Sequence, residues 1–110
     1  MSSKLLVVVS TGEKEKAYTG MMFAHLSRDQ KFMDDVKIVF MGPVEKLLAE
    51  DKDLQDLARQ MVAVEPPVAC RFISDQGGFS DKIEALGLKL EFVGSIIAGF
   101  LKDGYAPMVF

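Results

Sequence analysis

The chain contains one cysteine and one histidine, so few kinds of side-chain chemistry are open to it. Cys70 stands in "PVACRFISDQGG", at the end of a short apolar run and just before a polar, glycine-containing loop. A cysteine acts as a nucleophile when its environment stabilises the thiolate. A cysteine can equally serve as a small buried apolar side chain. The residues around Cys70 leave both interpretations open.

The neighbours of Cys70 determine how a thiolate could be stabilised and which cysteine mechanisms are excluded. Arg71 adds positive potential, and a helix beginning between residues 71 and 76 would place N–H groups where they favour a thiolate. With no second cysteine three residues later, a dithiol mechanism of the thioredoxin type is excluded within one chain. A zinc site of four Cys and His ligands is excluded as well, and we expect no metal and no cofactor.

Two further features invite a chemical interpretation. His25 lies inside the first predicted helix, far in sequence from any strand end, and we interpret it as a surface or interface histidine. The loop "STGEK" follows the first strand and opens a helix, where phosphate loops occur, but it lacks the P-loop spacing. A capping box between Ser10 and Glu13 explains this loop without a ligand. The secondary candidates for ligand binding, nucleotides included, are Ser10, Thr11, Gly12 and Gly42.

The pattern along the chain predicts the elements that would position these residues. Runs rich in β-branched and aromatic residues predict five strands: Leu5–Val9, Val36–Gly42, Pro67–Ile73, Leu88–Gly94 and Tyr105–Phe110. Helices are predicted in "STGEKEKAYTGMMFAHLSRDQ", "PVEKLLAED", "KDLQDLARQMV", "SDKIEALG" (capped by Ser80) and "SIIAGFLKDG". The alternation predicts one α/β domain over residues 1–110, a three-layer flavodoxin-like sandwich with a mostly parallel five-stranded sheet and helices on both faces. Pro107 predicts that the last strand lies at an edge or in a position that needs no ladder hydrogen bond, since proline cannot donate to a ladder.

Composition narrows the class of partner. The 13 basic and 16 acidic residues give a net charge of −3, and no basic run is present, so we expect neither nucleic acid nor an anionic membrane as a partner. The apolar run after Lys4 has only five residues, which is too short for a signal peptide or a membrane span. One cysteine cannot form an internal disulfide, so we expect a cytoplasmic, reducing setting.

The sequence resembles the DsrE/DsrF-like family of small sulfur-relay proteins over nearly its whole length. The resemblance rests on "KLLVVVSTGEKEKAYTGMMFA", "VKIVFMGPVEKLL", "PVACRFISDQGG" and "GLKLEFVGSIIAGFLKDGYAPMVF". It implies a flavodoxin-like fold, homo-oligomers that are commonly trimers or hexamers, and a cysteine after the third strand that carries sulfur as a persulfide. Cys70 occupies that position, whereas Ile73 stands where several relatives have a second cysteine.

Two hypotheses of different classes follow. In the first, the protein is a sulfurtransferase-like sulfur carrier in which Cys70 is solvent-reachable and catalytic, Arg71 stabilises its thiolate, and donor and acceptor proteins are the partners. In the second, it is an oligomeric small-ligand or nucleotide-binding module with a structural cysteine. Both include a homo-oligomer, which the Met21-Met22-Phe23 run and the apolar "SIIAGF" segment also favour.

Overall fold

A computed structural model describes residues 2–110 and shows five strands and six helices over that range. In chain order the elements are β1 (Lys4–Val9), α1 (Lys14–Asp29), β2 (Asp35–Phe40), α2 (Val44–Glu50), α3 (Lys52–Val64), β3 (Val68–Cys70), α4 (Arg71–Gly77), α5 (Ser80–Ala85), β4 (Lys89–Glu91), α6 (Val93–Lys102) and β5 (Ala106–Val109).

The five strands form one parallel sheet in the order β4-β3-β2-β1-β5. The interior strand β1 is continuously apolar because it is buried on both faces, with Leu6, Val7 and Val9 fully buried. The predicted edge position of the last strand is confirmed: β5 pairs only with β1, and Pro107 lies in it.

Helices cover both faces of the sheet. The larger core lies on the face covered by α1, α2, α3 and α5, and its fully buried side chains include Phe40, Met21, Leu48 and Ile83. The second core lies on the α6 face and consists of Leu6, Val8, Val39, Cys70 and Val93. The chain therefore folds as a three-layer α/β sandwich of the flavodoxin-like class, as the alternation of elements predicted.

The third and fourth strands are shorter than the sequence predicted. Residues 71–73 belong to α4 rather than to the third strand, and Val93 and Gly94 belong to α6 rather than to the fourth. β-Branched and aromatic residues favour strands locally, but β3 finds partners only up to Cys70, opposite Glu91 of β4. A helix beginning directly after Cys70 agrees with the condition set for a stabilised thiolate.

Two of the expected helix caps are wrong. Helix α1 begins at Lys14 with Glu13 as its N-cap and no side-chain cap, so the Ser10–Glu13 capping box does not form; the Glu13 amide donates instead to the Thr11 hydroxyl at 3.0 Å. Ser80 is the first residue of α5 rather than its cap, and its hydroxyl donates to the Asp75 carboxylate. By contrast, Asp51 caps α3 by accepting from the Leu54 amide at 3.0 Å.

The Met21-Met22-Phe23 run packs within the chain. Met21 is fully buried, Met22 packs against the larger core, and the Phe23 ring lies 6.3 Å from that of Phe110. This run therefore gives less support to self-association than its sequence suggested. The apolar residues that stay exposed include Phe23 and Leu26 on α1 as well as Phe92, Leu101 and Val109 on and around α6 and β5.

Polar contacts hold the amino end of the sheet. The Arg28 guanidinium donates to the carbonyl oxygens of Val36 and Glu65, both at 2.9 Å, and pairs with the Glu65 carboxylate at 3.4 Å. Burial lowers the pKa of Arg28, although Glu65 acts in the opposite direction. Within residues 2–110 no helix has the length and hydropathy needed to cross a membrane.

Candidate functional site

Cys70 lies at the carboxyl end of β3 and is the N-cap residue of α4. Ligands of open α/β sheets bind at this edge, so the strand places Cys70 where the sequence predicted. The side chain projects toward α6 and packs in the smaller core with Val39 and Val93. Only 8 % of Cys70 is exposed, which is less than we expected of a solvent-reachable thiol.

Arg71 is the first residue of α4 and is half-buried. Its carbonyl oxygen accepts a hydrogen bond from the Ser74 hydroxyl at 3.1 Å, which stabilises the first turn of this short helix. Within the part of the chain that the structure describes, the Arg71 guanidinium forms no ion pair. Its charge is therefore not neutralised by a carboxylate beside the thiol.

The loop after β1 is closed by the end of the chain. The backbone amides of Ser10 and Thr11 both donate to the carbonyl oxygen of Phe110, at 2.7 and 3.2 Å. The Phe110 ring packs so closely on Gly20 that a Cβ atom there would lie 2.6 Å from it. These contacts occupy two of the N–H groups that a phosphate in this loop could use, while Gly12 is exposed.

Gly42 lies between β2 and α2 and packs against Ser10 of this loop. Its φ of +107° is a conformation that side chains rarely adopt, and an added Cβ would lie 2.6 Å from the Ser10 hydroxyl oxygen. The Ser10 carbonyl accepts from the Val44 amide at 3.2 Å, and the Gly42 carbonyl accepts from the Glu45 amide at 3.0 Å. Glycine at position 42 thus allows α2 to begin tightly against the ends of β1 and β2.

Glu45 is the functional candidate that the sequence analysis missed. Its side chain is 0 % exposed, and within residues 2–110 neither carboxylate oxygen completes a hydrogen bond. Burial raises the pKa of Glu45 from an ordinary 4.5 to about 7, while the backbone amides of Gly42 and Cys70 favour the carboxylate and act in the opposite direction. A buried, unpaired acid that titrates near neutral pH is typical of functional sites.

A signal for this burial was present in the sequence. Glu45 precedes Leu48 by three residues and Ala49 by four, so it shares the buried face of α2 with them. A glutamate on the apolar face of a helix just after a strand end is a cue for a buried acid. That cue was outweighed by the usual location of glutamate in the exposed first turn of a helix.

Cys70 and Glu45 approach the same strand end from opposite faces of the sheet. The thiol packs on the α6 face, whereas Glu45 belongs to α2 on the other face. The site combines the single thiol with one buried acid, and Arg71 follows Cys70 directly in the chain.

Other features do not join this site. A surface groove of about 450 Å³ between α1 and α3 is lined by other residues, among them Lys14, Tyr18, Met22, Asp53 and Leu57. His25 is half-buried on α1, and its Nδ1 atom has no hydrogen-bond partner among residues 2–110. Over the same residues, no group of three or more His, Cys, Asp or Glu side chains is placed to hold a metal ion.

Comparison with known proteins identifies a similar fold but assigns no activity. No family model matches the sequence, and no curated protein matches it. The chain is similar to the solved structure of a conserved protein of unknown function from Bacteroides thetaiotaomicron, with 23 % identity and a TM-score of 0.89. The similarity covers 98 % of this chain and 95 % of that one. The two proteins therefore share this α/β fold over their whole common length.

Proposed function

We propose that this protein is a sulfur carrier of the DsrE/DsrF-like type that holds sulfane sulfur as a persulfide on Cys70. The Cys70 thiolate attacks the outer sulfur of a donor persulfide R–S–SH; the donor S–S bond breaks, R–S⁻ leaves, and Cys70 carries –S–SH. The thiolate of an acceptor then attacks that outer sulfur and releases Cys70 as a thiolate. Each step transfers one sulfur atom without net oxidation.

The observation that carries this proposal is the position of Cys70. It is the sole thiol, it ends a strand at the edge where open α/β sheets bind their ligands, and it is the N-cap residue of a helix whose first residue is Arg71. The proposal assigns stabilisation of the thiolate to the first turn of α4 and to the Arg71 guanidinium. A carrier needs such an anion twice, as attacking group on loading and as leaving group on release.

Self-association forms part of the proposal. Helix α6 carries no charge from Val93 to Leu101, and a Cβ added at Gly94 or Gly99 would meet open space. Around it Phe92, Leu101 and Val109 are exposed by 65 %, 45 % and 68 %. An uncharged apolar surface of this kind favours contact with a like surface, and a trimer or hexamer of the chain would cover it.

The burial of Cys70 favours a second candidate, a binding module of the same fold in which the cysteine is structural. A cysteine packed against Val39 and Val93 with 8 % exposure stabilises the smaller core whether or not it reacts. The two candidates differ in one measurable property, the reactivity of the thiol in the native protein.

The deciding experiment is persulfide loading followed by intact-mass spectrometry. We expect the native protein to gain the mass of one sulfur atom after incubation with a small-molecule persulfide, and to lose it on treatment with a thiol. Cys70→Ser, which differs little in size, should keep the fold and gain no sulfur. A native protein that neither gains sulfur nor reacts with iodoacetamide until it is denatured would favour the binding module.

Light scattering tests the assembly. We expect a mass that is a multiple of the 12.1 kDa chain at micromolar concentration. Leu101→Glu places a charge on the exposed α6 surface and should lower that mass, whereas Leu26→Glu, a change at a similarly exposed leucine on α1, should leave it unchanged. A monomeric native protein would contradict this part of the proposal.

A further inference from the structure

We propose that the groove between α1 and α3 binds a small organic cation, an ammonium group carried on an apolar or aromatic body. The groove contains neither Cys70 nor Arg71, so this inference goes beyond the sulfur carrier and does not depend on it. Three properties of the groove support it: its dimensions, its apolar floor and its excess of carboxylates.

The groove has the size of a small-molecule site. Its volume is about 450 Å³, within the range of roughly 300–1,000 Å³ that ligand pockets occupy. Its α1 wall extends from Lys14 to Met22, and its α3 wall extends from Asp53 to Gln60. At a rise of about 1.5 Å per residue, each wall is about 10–12 Å long, which fits a molecule of about ten non-hydrogen atoms.

The floor of the groove is apolar and aromatic. Leu57 closes it on the α3 side and is 3 % exposed, while the half-buried Met22 and the Tyr18 ring line it on the α1 side. Tyr18 is 39 % exposed, so its ring is open to a ligand. A tyrosine ring attracts a cation placed over its face. This floor therefore suits the apolar body of a ligand, and Tyr18 suits its charged end as well.

The charges around the groove are mostly negative. The charged residues that line it, together with their ion-pair partners, are four carboxylates and two cations: Glu15, Asp51, Asp53, Asp56, Lys14 and Arg59. Two negative charges are therefore in excess. A surface concavity with such an excess attracts cations and repels anions, so a cation is the complementary occupant.

Helix capping explains only part of this excess. Asp51 is the N-cap of α3, and Glu15 and Asp53 lie in first turns, where the helix dipole favours acids. Asp56 lies beyond the first turn of α3, and its partner Arg59 is 56 % exposed. An ion pair so exposed is weak, so a ligand cation can compete for the Asp56 carboxylate.

Lys14 shows that the mouth of the groove accepts an ammonium group. Its Nζ atom lies 2.9 Å from a carboxylate oxygen of Asp53 and 3.0 Å from one of Asp51. Hydrogen bonds to Asp53 and Asp51 raise the pKa of Lys14, as expected where carboxylates surround an ammonium. Asp56, one turn further along α3, offers a second position for the ammonium group of a ligand.

The test is an NMR titration of the native protein at pH 7 with three probes of similar size and different charge: 2-phenylethylammonium, 2-phenylethanol and 3-phenylpropionate. We expect the ammonium probe to bind with a Kd of about 1 mM at low salt and to shift the amide signals of α1 and α3 around the groove. The neutral probe should bind at least about threefold more weakly, and the anion should not bind. Added salt should weaken binding of the ammonium probe.

Variants assign the binding to the groove. Asp53→Asn and Asp56→Asn together remove the charge excess and should weaken binding of the ammonium probe about tenfold. Both side chains are more than half exposed, so the fold should be kept. Tyr18→Leu keeps an apolar floor without the aromatic face and should weaken binding about threefold. Asp29→Asn removes the same charge from an exposed position on α1 outside the groove and should leave the Kd unchanged.

Each outcome decides for or against the site. An ammonium affinity no higher than that of the neutral probe, or an equal effect of Asp29→Asn and the groove variants, would overturn the proposal. The absence of shifts in α1 and α3 at about 10 mM ammonium probe would overturn it as well. If the variants do not fold, the shifted signals and the ranking of the three probes in the native protein decide the question. Sulfur uptake without ammonium binding would reject this site alone, and ammonium binding without sulfur uptake would support it alone.

Discussion

The burial of Glu45 makes a quantitative prediction about stability and pH. The folded protein holds this proton with a pKa of about 7, against an ordinary value of 4.5. Below pH 4.5 both the folded and the unfolded chain are protonated at Glu45, so its contribution to stability is fully present. Between pH 4.5 and 7 only the folded chain keeps the proton, and stability falls as the pH rises. Above pH 7 the loss is complete.

The size of this loss follows from the two pKa values. At 1.36 kcal/mol per pH unit, the difference of about 2.5 between 7 and 4.5 corresponds to about 3 kcal/mol. That is a large fraction of the free energy of unfolding of a domain of this size. Glu45→Gln removes the ionisation but keeps a polar side chain in the same space, so it should abolish this part of the pH dependence.

The assay is urea denaturation at pH 4.5, 6, 7 and 8 for the native protein, Glu45→Gln and the exposed control Glu50→Gln. Relative to the native protein, Glu45→Gln should gain about 3 kcal/mol of stability between pH 4.5 and pH 8, whatever its absolute stability at either pH. Glu50→Gln should run parallel to the native protein. Parallel curves for all three proteins would show that Glu45 ionises at an ordinary pH and is not held neutral by burial.

Two further predictions concern parts of the fold away from the site. Arg28→Ala should lower the free energy of unfolding by about 2 kcal/mol, because it leaves two carbonyl oxygens at the amino end of the sheet without their charged donor. Arg59→Ala removes an exposed ion pair and serves as the control; it should change the free energy of unfolding by less than about 0.5 kcal/mol. Asp51→Ala should cost about 1 kcal/mol through loss of the α3 N-cap, and an unchanged denaturation midpoint would contradict that role.

The sequence by itself determined the architecture and the place of the thiol. Alternating apolar runs and amphipathic segments have periods of two and 3.6 residues, and these local patterns identify strands and helices with little help from the rest of the chain. The same reasoning placed Cys70 in the third strand, which ends at Cys70 rather than at the predicted Ile73, and proline chemistry placed the last strand at an edge. Local patterns could not predict the exact ends of β3 and β4, because a strand ends where its pairing with the neighbouring strands ends.

Only the tertiary structure decided the surroundings of the site. Ser10 fits a capping box in sequence, yet its amide binds the carbonyl of Phe110, one hundred residues away, because β5 returns beside β1. Glu45 is a charged residue in the first turn of a helix, where side chains are usually exposed. It is buried here because Gly42 allows α2 to start tightly against the ends of the interior strands. Burial and the pKa that follows from it are properties of long-range packing, and no local pattern contains the distances that set them.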